Sequence, residues 1–277
     1  MLVFPNAKIN LGLHVVSKRP DGFHAIETVF VPASWCDALE IIENPGSGEP
    51  FVFSQSGLPI SGAPETNLIY KAWKLMAGQK KCPPLKVHLH KNIPMGAGLG
   101  GGSADAAFFI NALNDLLQLG YSMEERTGIA RQLGSDCAFF IQNRPVFARG
   151  KGDELEELAI DLSAYYILLV YPGIVSGTAE AYSGMVPKPS PIDLRTFLPN
   201  TPVAEWKQQV VNDFEPNLFK KYPPIARLKA DLYETGALYA SMSGSGSAVF
   251  GIFDKEPALT FPAGYSSCLQ KPHSKIL

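Results

Sequence analysis

Cysteine is scarce. Cys36, Cys82, Cys137 and Cys268 are the only four, widely scattered and without a C-x-x-C pair. That argues against a zinc ribbon or a disulfide framework and suits thiols kept reduced in the cytoplasm. Surplus charge is lacking too: 24 basic residues against 26 acidic ones give a formal net charge of -2. With no excess of cations to neutralise a run of phosphates, extended nucleic-acid binding is disfavoured, while a small anionic substrate at one local site is not. No window approaches the roughly 20 apolar residues that span a bilayer. Met1 runs almost at once into strand-like sequence, without the basic start and apolar core of a secretory signal. Repeats and low-complexity tracts are absent. What remains is a cytoplasmic protein with no nucleic-acid or membrane partner. Its 277 residues, 46% hydrophobic and 18% charged, suffice for one large domain or two modest ones.

Apolar and non-apolar residues alternate from Lys8 to Val15, the period of a strand with one buried face. Ile9, Leu11, Leu13 and Val15 are expected on that face, with Lys8, Asn10 and His14 opposite. Arg19-Pro20-Asp21-Gly22 has turn chemistry, and a second strand is expected at Ile26–Val31. Thr66-Asn67 offers a helix cap before an apolar-periodic stretch reaching Met76. Leu85–His90 alternates again as a strand. Its His88 and His90 face away from Val87 and Leu89, and no third metal ligand accompanies them. Ala104–Leu119 reads as a mostly buried helix, and Ser122-Met123-Glu124-Glu125 as a capping box opening another that ends near Gly134. Further on come strands at Val146–Arg149, Tyr165–Tyr171 and Ala248–Phe253, a proline-rich connection from Pro187 to Pro202, and a helix at Pro224–Glu234. Mixed elements in both halves imply an α+β protein of two packed lobes, residues 1–154 and 155–277, divided near Glu154. The tail from Lys271 is expected to be loosely ordered.

Five glycines fall between Gly96 and Gly102, in a stretch that separates an expected strand from an expected helix. Glycine leaves no Cβ between backbone amides and a ligand, and the N-terminus of the following helix adds unpaired N–H groups and partial positive charge. Together they make an anion cradle suited to polyphosphate. A nucleotide-phosphate loop of the common type needs a lysine followed by serine or threonine, but Gly102 precedes Ser103-Ala104. The dinucleotide fingerprint fails as well, since no acidic strand end follows about 20 residues on. A flexible linker is the competing interpretation, but linkers sit among polar residues, and this stretch is wedged between apolar elements.

Three segments in order resemble the GHMP kinase superfamily: Pro5-Asn6-Ala7-Lys8-Ile9-Asn10-Leu11, Pro94–Ser103, and Ser243-Gly244-Ser245-Gly246-Ser247 before Ala248–Gly251. Gly22-Phe23-His24 and Gly134-Ser135-Asp136 are most similar to members whose alcohol substrate carries a cytidine diphosphate. The resemblance implies a two-lobed fold, with a first lobe like domain 2 of ribosomal protein S5 and a ferredoxin-like second lobe. It also implies transfer of a phosphoryl group from ATP, with Mg²⁺, to a small cytidyl diphosphate alcohol. The ATP loop would comprise Pro94, Met95, Gly96, Ala97, Gly98, Leu99, Gly100, Gly101, Gly102, Ser103 and Ala104. Asp136 would be the base that takes the hydroxyl proton; by sequence alone it also suits a helix cap, and the two roles are compatible. Lys8 would stabilise the transferring phosphate. Cytosine would lie between Phe23 and Tyr182, with polar contacts from His24 and Asn10, and Thr178 would touch the alcohol part. Tyrosine is frequent in the family where this chain has Phe23, so stacking is retained without a phenol. Ser103 is a candidate Mg²⁺ ligand, the rest of the metal set being open. A related kinase for mevalonate or homoserine, or a nucleotide-binding protein without transfer, would share the loop; the first needs no aromatic clamp and the second no Lys8–Asp136 pair.

Overall fold

The computed structural model describes residues 1–274. Its first strands are the short β1 (Leu2–Val3) and two long ones, β2 (Asn6–Lys18) and β3 (His24–Cys36), which form an antiparallel hairpin turning at Arg19–Phe23. The alternation in β2 holds as far as Gly12. There Leu11 pairs with Val29 but Leu13 pairs with Thr28, and Gly12 takes φ 66°. One extra residue on one strand is a β-bulge, and it reverses which face the following side chains occupy. Lys8 and Asn10 therefore share their face with Leu13. His14, expected beside them, lies with Ile9 and Leu11 on the other face, fully buried 3.6 Å from Asp213.

The chain continues through β4 (Ala38–Glu43), β5 (Phe51–Gly57), α1 (Leu68–Ala77) and β6 (Leu85–Lys91). A sheet of order β1-β4-β6-β5 results, with β5 parallel to β6. Asn67 caps α1 by accepting from the Ile69 N–H at 2.8 Å. On the outer face of β6, His88 Nδ1 and Nε2 lie 2.8 and 2.9 Å from the Ser54 and Ser56 hydroxyls, a polar ladder rather than a metal pair. Then come α2 (Gly101–Leu116), α3 (Met123–Leu133), α4 (Cys137–Gln142), β7 (Val146–Arg149) and β8 (Glu154–Glu157). The expected capping box is present: Glu125 N–H donates to Ser122 Oγ, and Ser122 N–H to the Glu125 carboxylate. β8, which starts at the expected lobe boundary, pairs with β7 to complete the sheet β2-β3-β7-β8.

The second lobe holds β9 (Tyr166–Tyr171), α5 (Thr178–Tyr182), α6 (Leu194–Asn200), α7 (Glu215–Lys221), α8 (Pro223–Glu234), β10 (Tyr239–Met242), β11 (Val249–Phe253) and β12 (Ser266–Gln270). Its sheet, β10-β11-β9-β12, is antiparallel throughout, with α7 and α8 against one face in a ferredoxin-like arrangement. The proline-rich connection is not featureless: α6 forms inside it, because Asp193 caps the Arg195 N–H and Leu194 and Leu198, one turn apart, are buried. Lys271–Ser274 form a turn tied to Ser163 O by the His273 N–H, and the remainder of the expected loose tail lies outside the described residues.

Two apolar clusters flank the β2–β3 hairpin. Phe30 packs with Phe139 and Phe140 and the helices α1–α4 on one side. On the other, Ile9, Leu11 and Val29 share a core with Ile167, Leu169 and Phe250 of the second lobe. The lobes are thus joined through buried apolar surface, and the bulged strand lies at the seam.

Candidate active site

Lys8 is held rigidly. Its Nζ donates to Asn10 Oδ1 at 2.6 Å and stands 3.6 Å from Asp136 Oδ2, with the Phe30 ring 5.0 Å away. Asn10 Nδ2 donates in turn to Thr28 Oγ1 at 2.9 Å. Burial pulls the lysine pKa below its ordinary value, and the Asp136 charge opposes that pull. Both ends of the Asn10 amide are therefore engaged. Asn10, which the resemblance assigns to the substrate base, lines the cleft and also holds Lys8. Asp136 sits at the N-cap position of α4, yet its side chain makes no capping bond. The carboxylate, 29% exposed, is left facing Lys8 and the cleft, with Ser135 Oγ donating to Oδ1 at 3.2 Å.

The glycine loop follows β6. Gly96, Gly98 and Gly100 have φ of 66°, 77° and 73°, which L-side chains rarely adopt. The helix α2 begins at Gly101, earlier than its alanine-rich composition suggests, because the positive-φ run ends at Gly100. Both lobes grip the loop: Leu99 O accepts from Lys8 N–H at 2.9 Å, and Ala97 O from Ala248 N–H at 3.0 Å. Ser243 Oγ donates to Gly98 O at 3.0 Å, so the Ser243–Ser247 loop is a buttress. Asn212, which sequence reasoning passed over, fixes that buttress by donating to Met242 O at 2.9 Å and Gly244 O at 2.8 Å. A Cβ on Gly98 would come within 2.0 Å of Ser243 O. Gly98→Ala is expected to raise KM for ATP at least about tenfold and to lower Tm, since it combines a strained φ with a backbone clash; steady-state kinetics and thermal melts check both.

A cleft of about 400 Å³ lies between the lobes, lined by Lys8, Asn10, Pro94–Ser103, Asp136, Thr178 and Tyr182, and also by Lys151, Ser176 and Ser245. Three expected site residues sit differently. Ala104 is buried in the core below, and its N–H is bonded to Gly100 O at 2.9 Å. Phe23 is 60% exposed at the tip of the β2–β3 turn, its ring beneath Lys151 at 5.3 Å. The ring on the face of Tyr182 belongs to His24 instead, at 4.8 Å and 16°. The hairpin turn explains this exchange: Asp21 accepts from Phe23 N–H at 3.2 Å, holding Phe23 at the tip while His24 begins β3.

A second cleft, about 290 Å³, adjoins the first at Met95 and Gly102 and is lined by Asn67, Ser54 and Asp105. Beneath it lies a buried ion cluster with no local sequence signature. Lys91 Nζ pairs with Asp37 and, at 2.7 Å, with Asp105 Oδ2, while Asp37 Oδ1 accepts from the Asn92 and Ile93 N–H groups at 2.6 and 2.8 Å. Burial pushes the Asp105 carboxyl up to about 8, Lys91 opposing and Asp37 assisting, while Lys91 stays high because both acids outweigh its own desolvation. An acid raised on folding contributes stability that is complete below its unfolded pKa and is lost as pH rises through the folded value. Tm is therefore expected to fall progressively between about pH 4 and pH 8, and Asp105→Asn, which fixes the neutral form, to flatten that slope in thermal melts at several pH values.

A glycine loop at a helix N-terminus, beside a lysine–aspartate pair on an interlobe cleft, is the equipment of a small-molecule kinase. Two family models match: GHMP kinases N terminal domain over residues 67–144, and GHMP kinases C terminal over residues 202–261. The chain belongs to the GHMP kinases. A Parabacteroides distasonis protein named 4-diphosphocytidyl-2-C-methyl-D-erythritol kinase is 48% identical over 268 residues, 97% of each chain. One of the same name from Cytophaga hutchinsonii is 50% identical over 258 residues, 93% of this chain and 94% of its own. A crystal structure of 4-(cytidine 5'-diphospho)-2C-methyl-D-erythritol kinase superposes with TM-score 0.77 at 31% identity, covering 91% of this chain and 90% of that one. Within the GHMP kinases, the branch is that of the 4-diphosphocytidyl-2-C-methyl-D-erythritol kinases.

Proposed function

We propose that this kinase transfers the γ-phosphoryl group of ATP to the 2-hydroxyl of 4-diphosphocytidyl-2-C-methyl-D-erythritol, in non-mevalonate isoprenoid precursor biosynthesis. The observation that carries the mechanism is the Lys8–Asp136 pair, 3.6 Å apart on a cleft that the glycine loop before α2 also lines. In such a transfer the protein's work is to position the reactants and stabilise charge. Asp136 accepts the proton of the substrate hydroxyl as the oxygen attacks. Lys8, fixed by Asn10, holds its ammonium against the charge that develops on the transferring group. The backbone N–H groups of the glycine loop cradle the ATP phosphates.

A bound Mg²⁺ would supply the charge that offsets that of the ATP phosphates. The donors on the cleft wall fit an ion carried mainly by the nucleotide: the Ser103 hydroxyl is present, and no group of three His, Cys, Asp or Glu side chains is gathered among the described residues. Magnesium characteristically keeps several waters and binds through one or two protein groups plus phosphates. The base of the substrate is assigned to the neighbourhood of His24 and Tyr182, whose rings stack 4.8 Å apart, and the alcohol to that of Thr178, which lines the same cleft as Tyr182. No helix among the described residues is long and apolar enough to cross a membrane, and the four cysteines are free. Reduced thiols and a need for ATP support a cytoplasmic setting.

Phosphorus NMR of the protein with ATP, Mg²⁺ and 4-diphosphocytidyl-2-C-methyl-D-erythritol tests the reaction, with mevalonate and homoserine as competing alcohols. The expected result is a 2-phosphate from the cytidyl substrate alone. Product from either other alcohol in its place overturns the substrate, and ATP binding without any product overturns the transfer.

A further inference from the structure

Thr178 and Tyr182, assigned above to the substrate, follow a stretch, residues 174–177, that belongs to no helix or strand. Side-chain hydroxyls hold it in place. Ser176, 3% exposed, donates from Oγ to Ser245 O at 3.0 Å, and Ser247 Oγ donates to Ile174 O. Thr178 Oγ1 lies 3.4 Å from Ser245 Oγ. All three contacts end on one loop, Ser243–Ser247, the same one that buttresses the phosphate cradle.

That loop is short and tied to itself, since Gly246 N–H donates to Ser243 O at 2.9 Å. Ser243 holds the glycine loop at Gly98 O, and Ser245, two residues on, meets Ser176 and Thr178. The packing is close on both sides. A Cβ on Gly98 would lie 3.0 Å from Gly246 N, and one on Gly246 would lie 3.3 Å from Ser176 Oγ. The stretch also meets the cradle directly: a Cβ on Gly96 would lie 3.5 Å from Val175 Cγ1. A shift of the glycine loop around a polyphosphate is therefore passed to the residues that precede Thr178, and a shift at Thr178 is passed back.

We propose that Ser176 is a positioning residue through which ATP and the acceptor substrate strengthen each other's binding. This rests on the function proposed above. Ser176 acts through its neighbours, because its side chain is buried and its hydroxyl is already engaged with Ser245 O. An irregular stretch loses conformational freedom when a ligand fixes it. Whichever ligand binds first orders the shared brace, and the second meets it already ordered, which gives positive coupling without a large movement. Linkage makes the gain equal in both directions. In the ternary complex the same brace keeps the acceptor in line with the phosphate to be transferred.

Titration calorimetry with 4-diphosphocytidyl-2-C-methyl-D-erythritol, alone and with a saturating non-hydrolysable ATP analogue, tests it. The unsubstituted protein is expected to bind the cytidyl substrate about 5- to 10-fold more tightly with the analogue present, and the analogue to gain the same factor from the substrate. Ser176→Ala should bring that factor close to 1, while the affinity for each ligand alone changes less than about threefold. Hydrogen exchange gives a second reading: the amides of residues 174–178 should slow when the analogue alone is added to the unsubstituted protein, and much less in Ser176→Ala. A lowered Tm in Ser176→Ala with the factor unchanged marks a merely structural residue and overturns the assignment. Independent binding of the two ligands to the unsubstituted protein overturns it as well, and leaves the kinase reading intact. Failure of the unsubstituted protein to bind the cytidyl substrate with or without the analogue overturns both.

Discussion

Asp136→Asn is expected to lower kcat by at least about 10²-fold, with KM for ATP nearly unchanged and only a modest loss of Tm. The amide keeps the shape of the side chain and loses the ability to accept the hydroxyl proton. It also removes the charge that opposes desolvation of Lys8, whose pKa is already drawn down by burial, and so draws it down further. Lys8→Ala should fall by a similar factor, and the double variant by less than the product of the two, because the groups act as a unit. Stability should change only modestly: Asp136 is 29% exposed, so solvent screens part of the change, although Lys8, 4% exposed, loses its charged partner. Steady-state kinetics and thermal melts on the same preparations decide it. Near-normal turnover in Asp136→Asn would remove it from the mechanism.

Lys91→Met is expected to produce the largest loss of stability. Lys91 and its partners Asp37 and Asp105 are almost fully buried, and removal of the cation leaves two carboxyl groups without compensation. Breaking such a pair from one side costs about 3–5 kcal/mol, which for a chain of this length lowers Tm by on the order of 10 °C. The triple variant Lys91→Met, Asp37→Asn, Asp105→Asn should regain much of that loss, because no buried charge is then left unpaired. A Cβ on Gly101 would lie 2.9 Å from Lys91 Nζ, so the ammonium also supports the first turn of α2. KM for ATP should consequently rise even at temperatures where the variant is folded. A Tm within about 1 °C of the parent would show that the cluster carries little of the fold.

What the sequence made legible was local. The caps at Asn67 and Ser122, the alternation of β6 and the glycine run each depend on residues within a few positions of one another, and each is found as expected. The proposed active pair was legible only through resemblance. Nothing near Asp136 distinguishes it from an ordinary helix cap, and its pairing is with Lys8, far away in the chain. The side on which His14 lies escaped because a single bulged residue at Gly12 reverses the parity of all that follows. Asn212 and the Lys91 cluster escaped for a different reason. Their meaning is in partners supplied by other elements, and an isolated asparagine or lysine carries no trace of them. The strand β5 was hidden by its polar centre, Ser54-Gln55-Ser56, which gains strand structure only from the neighbouring β6.

Because Ala97 O is bonded to Ala248 N–H and Leu99 O to Lys8 N–H, the phosphate cradle is finished only when residues from opposite ends of the chain have come together. A protein cut between its lobes should therefore yield fragments that are each unable to retain nucleotide, and mixing them should restore retention only to the extent that they reassociate. By mass action, ATP then favours the assembled pair, so nucleotide would serve as a ligand for reassembly as well as a reactant.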